Sequence, residues 1–166
     1  MVAEEGAIMT ITTTPERGGK AEPRPIIPAL APFYANFARD ISYPLIRVTV
    51  GGTLLVHGIH RAMIPLSRAA EEMAKSGHQP ALFFAIVALI NETVGAVCVA
   101  LGLFTRFFAA SIAIEMAMIS IQFFPNGYAW ARHGWEFVFL WGLIFFAIAL
   151  RGGGPYSLDR KIGWEL

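Results

Sequence analysis

Polar residues in this chain come in runs, and between the runs lie four stretches from which they nearly vanish. The clearest is Ala81 to Phe104, 24 residues with Asn91 and Glu92 at their centre. At 1.5 Å per residue such a helix crosses a hydrocarbon layer of ~30 Å with some tilt. Thirteen of its residues are Leu, Ile, Phe or Val, and together they favour insertion by roughly 6 kcal/mol. An ionised side chain at the centre costs roughly 2.5–3.5 kcal/mol. The segment is therefore predicted to insert while carrying Glu92, and a carboxylate at that depth needs a partner, a proton or a job.

The other three stretches are predicted as helices over about Tyr43 to Arg61, Arg106 to Phe124 and Gly134 to Leu150. On the first, Arg47, Gly51, Leu54 and Gly58 fall on one line at helical spacing, so small residues let a neighbour approach where Arg47 points. On the second, Ala88, Glu92, Gly95, Val99 and Gly102 share a face. On the third, Ser111, Glu115, Met118 and Gln122 form one polar stripe, which should face other helices rather than lipid. Ile64 to Gln79, with Pro65 at its start and Gly77 and Pro80 at its end, reads as an amphipathic connector. Its Arg68, Glu71, Glu72 and Lys75 make a solvated face with i,i+4 pairing. Pro125 to His133 contains an Asn126-Gly127 turn and two interface aromatics, Tyr128 and Trp130.

Residues 1–40, rich in Pro and Gly, read as a flexible tail, disordered at least to Arg24, with an interfacial segment from Ile26 to Phe37. It lacks an apolar core followed by a small-residue cleavage site, so no secretory signal peptide is expected. Residues 41–151 form the transmembrane domain and 152–166 a second, C-terminal tail. The predicted class is all-α: an integral membrane four-helix bundle with an amphipathic connector between helices 1 and 2. Eight Lys and Arg residues lie in the tails and the second loop, against four in the two opposite loops. The positive-inside bias then puts both termini in the cytoplasm.

Composition agrees with this class. The chain is 55% hydrophobic, 15% charged and has mean hydropathy +0.54, whereas soluble domains carry roughly 25% charged residues. A net charge of +1 without a basic stripe gives no reason to expect nucleic acid. Cys98 stands alone, which excludes an intrachain disulfide, a dithiol pair and a Cys-based zinc site. No phosphate loop, catalytic triad or nucleotide fingerprint occurs.

Counting depth along the helices places Glu92 and Glu115 within a turn of the midplane and Arg47 roughly 8 Å to the cytoplasmic side. Two carboxylates at one depth cannot both stay ionised and unpaired, so one is expected to pair with Arg47 and the other to hold a proton. This candidate pocket has two readings. It is either a buried lock that fixes helix register or a polar pocket for a lipophilic carrier such as a quinone; a proton or ion path is a third, weakened by the lack of further acids along one track. A second candidate cluster, His57, Trp135 and Glu136, lies toward the outer side. His57 and His60 are turned about 60° apart on the helix, so no metal site is expected there.

Several short motifs occur in a telling order: Arg47 with Gly58 on the first helix, Glu92 followed by Gly95, Leu101-Gly102-Leu103 and Thr105-Arg106, Trp135-Glu136-Phe137, and Gly152 to Gly154 before Tyr156-Ser157-Leu158-Asp159. From about Leu45 to Asp159 the chain resembles the DoxX family of small four-helix bacterial membrane proteins. The resemblance marks Arg47, Glu92 and Trp135-Glu136 as family positions. Where relatives often carry Gly, an aromatic and then Lys, this chain has Gly58-Ile59-His60-Arg61, which retains the cation. The family's namesakes are linked to membrane subunits of thiosulfate:quinone oxidoreductase, and other relatives to redox or stress-related membrane complexes. The resemblance thus implies a multi-pass protein of the bacterial inner membrane, an accessory or quinone-interacting subunit rather than a stand-alone enzyme, with a protein partner, a quinone or lipid ligand and no required cofactor. The competing expectation is a structural or assembly protein whose buried Arg and Glu residues only lock the helices.

Overall fold

Helix begins well before the first predicted span. The computed structural model describes residues 26–165, so the disorder expected as far as Arg24 falls outside the described residues. After a 3-10 turn at Pro28–Leu30, a π turn at Phe33–Ala38 runs unbroken into α1, Arg39–Ala62. The connector forms α2, Leu66–Lys75, where Arg68 and Glu72 make an exposed i,i+4 pair at 3.7 Å. Next come α3, Ala81–Ile90, a π turn at Asn91–Gly95, and α4, Ala96–Leu101, which together form one rod. The remaining helices are α5, Thr105–Phe123, α6, Glu136–Arg151, and a short α7, Leu158–Ile162. No strand occurs among the described residues. Pro65 and Pro80 each stand just before a helix, where a missing N–H costs nothing. Gly102, at φ +73°, ends α4 in the left-handed conformation typical of helix stops.

Two segments, Ala81–Leu101 and Thr105–Asn126, are long and apolar enough to cross a membrane. α1 is as long but carries Arg47 and Arg61, and α6 has 16 residues. All four rods meet in one core, built from Val50 and Leu54 on α1, Ala96 and Val99 on α4, Ile112 and Met116 on α5, and Trp141, Phe145 and Ile148 on α6. Each also turns large apolar side chains outward: Leu45, Val48 and Ile59 on α1, Ile86 and Val94 on the second rod, Phe107, Ile114 and Ile121 on α5, Leu140, Phe146 and Leu150 on α6. Water would penalise so continuous an apolar exterior, while lipid would not.

The small-residue line on α1 is buried along its length, as is the line from Ala88 to Gly102. At their crossing a Cβ on Gly58 would sit 2.1 Å from the Glu92 carbonyl oxygen. Backbone, unlike a flexible side chain, cannot step aside. Gly58→Ala should therefore cost at least the roughly 1–3 kcal/mol of an overpacked core, read as a lowered melting temperature in detergent, while Ala at exposed Gly52, with open space around it, should change little.

The C-terminal segment is not the tail expected from the sequence. It folds back under the bundle, burying Gly152, Gly153, Ser157 and Asp159. Asp159 accepts hydrogen bonds from the backbone N–H of Phe104 (2.7 Å) and of Thr105 (3.0 Å) and from the Thr105 hydroxyl (2.6 Å), and its own N–H donates to the Gly102 carbonyl (2.8 Å). A carboxylate so placed satisfies orphan donors at the start of α5 and faces the positive end of its dipole. Arg106 does the converse for α6, donating to the carbonyls of Leu150 (2.7 Å) and Ala149 (3.2 Å).

Candidate functional site

The π turn at Asn91–Gly95 builds the central polar layer. Successive residues of an α-helix point about 100° apart, so Asn91 and Glu92 face different neighbours. The wider turn buries both, leaving 3% and 4% of their surfaces accessible and aiming them at different neighbours. Such turns recur at functional sites. Glu92 faces α1 and takes two hydrogen bonds from Arg61, each 2.8 Å long. Asn91 faces α5, accepting from the Ser111 hydroxyl at 2.9 Å and donating to one Glu115 oxygen at 3.0 Å. The other Glu115 oxygen, Oε1, is buried without a hydrogen-bond partner.

Glu92 and Glu115 thus lie together, but Arg47 is elsewhere. The expected pairing of a carboxylate with Arg47 is corrected: the cation on Glu92 is Arg61. Arg47, 1% exposed, lies in the N-terminal half of α1 and donates to the carbonyls of Gly153 and of Tyr156, the latter at 3.1 Å. Beside it the Tyr43 hydroxyl donates to the Gly152 carbonyl, and the Arg151 guanidinium lies 4.1 Å over the Tyr43 ring. These contacts clasp the C-terminal segment; they do not reach the acids. Arg61 escaped depth counting because it sits at the C-terminal end of α1. The close crossing at Gly58 and the reach of a long side chain bring it inward.

The outer cluster is divided as well. Trp135 stacks on Phe124 and meets Tyr128 and Phe139 edge-on. Glu136 takes a hydrogen bond from the Trp130 N–H at 3.3 Å and, beside Tyr128, raises that phenol above its ordinary value. The loop carbonyls of Gly127 and Tyr128 accept from the N–H groups of Trp135 and Glu136, so the loop buckles onto the start of α6. His57, by contrast, is exposed and packs edge-on to Trp141 one helical layer deeper, 5.5 Å between rings. Trp135 and Glu136 belong to a loop buckle in which His57 has no part.

A cavity of about 250 Å³ runs between the second rod and α5, under α2. Its wall on α5 is the stripe read from the sequence: Ser111, Glu115, Met118 and Gln122. Asn91 completes the polar floor, and Phe84, Val87 and Ile119 supply apolar sides. At its outer end Gln122 Nε2 lies 2.9 Å from a ring nitrogen of His78. Sequence reasoning passed over His78, which stands in the connector's last turn and enters the cavity only because α2 packs back on α3. Chemically, the cavity offers an amide, a hydroxyl and a half-partnered carboxyl group to an otherwise apolar guest.

Apolar helices with a lipid-compatible exterior, closing around buried ionisable groups, define a helical membrane protein. The chain belongs to the DoxX family, whose model matches residues 43–124. The match takes in α1 through α5 and hence Arg61, Asn91, Glu92, Ser111 and Glu115; the Trp135-Glu136 pair and the C-terminal clasp fall beyond it. The chain is also similar to an uncharacterized protein of Haemophilus influenzae, 29% identical over 121 residues, 70% of this chain and 87% of that one. No solved structure matches it significantly.

Proposed function

We propose that this protein crosses the bacterial inner membrane four times, with both termini cytoplasmic, and serves as an accessory subunit of a membrane oxidoreductase system that holds a quinone in the cavity between the second rod and α5. The apolar exterior shared by all four rods supports four crossings. The excess of Lys and Arg in the tails and the second loop supports the orientation. The ligand assignment is carried by the unpartnered, buried Glu115 Oε1 beside a cavity with one polar stripe and apolar sides. A quinone is itself apolar except for carbonyl oxygens, which need donors at such a wall. A cavity of about 250 Å³ falls below the roughly 300–1,000 Å³ of sites that enclose a whole drug-sized molecule. It suits a single ring, with an isoprenoid tail left in lipid.

Titration of the purified protein with a short-chain quinone, followed by tryptophan fluorescence, tests this reading. Glu115→Leu should weaken binding at least about tenfold, equivalent to 1.4 kcal/mol, and Ser111→Ala by less. Unchanged affinity in Glu115→Leu would refute the assignment. The alternative, a protein whose buried charges only lock helices, draws support from the Arg47 clasp, which shares no residue with the cavity between the second rod and α5. It predicts that Glu115→Leu alters melting and nothing else.

A further inference from the structure

The cations of the central layer are fewer than its acids. Among the described residues around Glu115, α1 brings the charge of Arg61, and the π turn brings Asn91 and Glu92, whose carboxylate lies close enough to share a hydrogen bond with Glu115. Ser111 stands one turn away on α5 itself, and His78 faces Gln122 at the far end of the cavity. Arg61 is spent on Glu92 through both of that carboxylate's oxygens. Glu115 receives one amide hydrogen bond on Oε2 and none on Oε1. A second negative charge here would have no counter-ion in a water-poor layer, and burial of such a charge is avoided by taking up a proton.

We propose that the two acids have opposite duties: Glu92 is the ionised structural partner of Arg61, and Glu115 is a neutral carboxylic acid on the wall of a cavity fed sideways from the lipid, selecting apolar ligands that present a carbonyl oxygen. This rests on the cavity being a ligand site and adds the protonation state, the recognised group and the route of entry. The inner end of the bundle is closed by the clasp of Tyr43 and Arg47 on Gly152, Gly153 and Tyr156. The outer end carries the Gln122–His78 contact. Between them the cavity is flanked by Phe83 and Ile114, 57% and 64% exposed on the lipid-facing surface. A membrane-dissolved molecule therefore enters between α3 and α5. Its carbonyl meets Glu115, and Gln122 with His78 bounds it roughly 10 Å further out, seven residues along α5.

A lipophilic carbodiimide reads this state directly, because it reacts with neutral carboxylic acids exposed to the membrane interior. The acid proton passes to one carbodiimide nitrogen, the carboxyl oxygen bonds to the central carbon, and the resulting O-acylisourea rearranges to an N-acylurea of the same mass. In membranes containing the full-length protein, peptide mass spectrometry should find the adduct on Glu115 and not on Glu92. A water-soluble carbodiimide should leave both unlabelled. Glu115→Gln should remove the adduct yet keep short-chain quinone affinity within about threefold, because its amide still donates, whereas Glu115→Leu should not. An adduct on Glu92, none on Glu115, or labelling of Glu115 by the water-soluble reagent would overturn the proposal. Labelling of Glu115 that a short-chain quinone fails to suppress would uphold the neutral acid and overturn the quinone as its ligand.

Discussion

Arg61→Met is expected to destabilise the protein by about 3 kcal/mol, the lower end of the 3–5 kcal/mol typical when one member of a buried ion pair is removed. The lower end applies because the Arg61 side chain is 25% exposed, whereas Glu92 is 5% exposed. The loss comes from the carboxylate left behind, which has both oxygens committed to a guanidinium that is no longer there. The double variant Arg61→Met/Glu92→Met should recover to within about 1 kcal/mol of the parent, since replacing both charges by well-packed apolar groups is often neutral. A coupling energy of that size is what a double-mutant cycle of two touching residues detects. Additive effects of the two substitutions would show that Arg61 and Glu92 are not partners. Lys at position 61 should restore only part of the loss, because an ammonium cannot make the forked pair.

The second large effect is expected where the C-terminal segment meets α5. Asp159→Ala removes three hydrogen bonds at the start of α5 at once, and should cost about 3 kcal/mol, the upper end for a hydrogen bond to a charged group. More telling is where the damage appears. Gly152 to Ile162 should gain rapid amide exchange and become open to proteolysis, while quinone affinity should hold, because the clasp and the cavity share no residue. Amide exchange measured in detergent would show it. A uniform rise in exchange across all helices would mean instead that the clasp and the bundle unfold as one unit.

Much of this arrangement is written in residue spacing. The Ser111, Glu115, Met118, Gln122 stripe lines the cavity because a 3.6-residue period fixes which side chains share a face whatever the neighbour is. The small-residue lines that include Gly51, Gly58, Gly95 and Gly102 mark the close crossing for the same reason. Periodicity is blind to partners that lie far apart in the chain. Nothing near Arg47 in sequence announces that residues more than a hundred positions later will bind it. The clasp of Asp159 on Phe104 and Thr105 is equally non-local.

Two clues were nonetheless present. Asn91 and Glu92 are adjacent polar residues at the centre of an apolar helix, and with about 100° between them they must serve different neighbours. Arg61 puts a cation where the resemblance to the DoxX family implied a Lys, and a positive charge at the end of a span invites the question of which acid it serves. Depth counting paired Arg47 with one of the two acids because it followed the rise along each helix and ignored the lateral packing, which at Gly58 brings α1 against the Glu92 backbone.

Quinone binding in this cavity requires Glu115 to stand uncharged at a wall that a membrane-soluble carbonyl compound occupies. Organic extraction and mass spectrometry of the protein purified from its native membranes, beside an equally folded Glu115→Leu variant, test this most directly. The expected result is a near-stoichiometric isoprenoid quinone in the parent and little in the variant. Parent and variant that melt alike and both carry none, or carry the same amount, would contradict it.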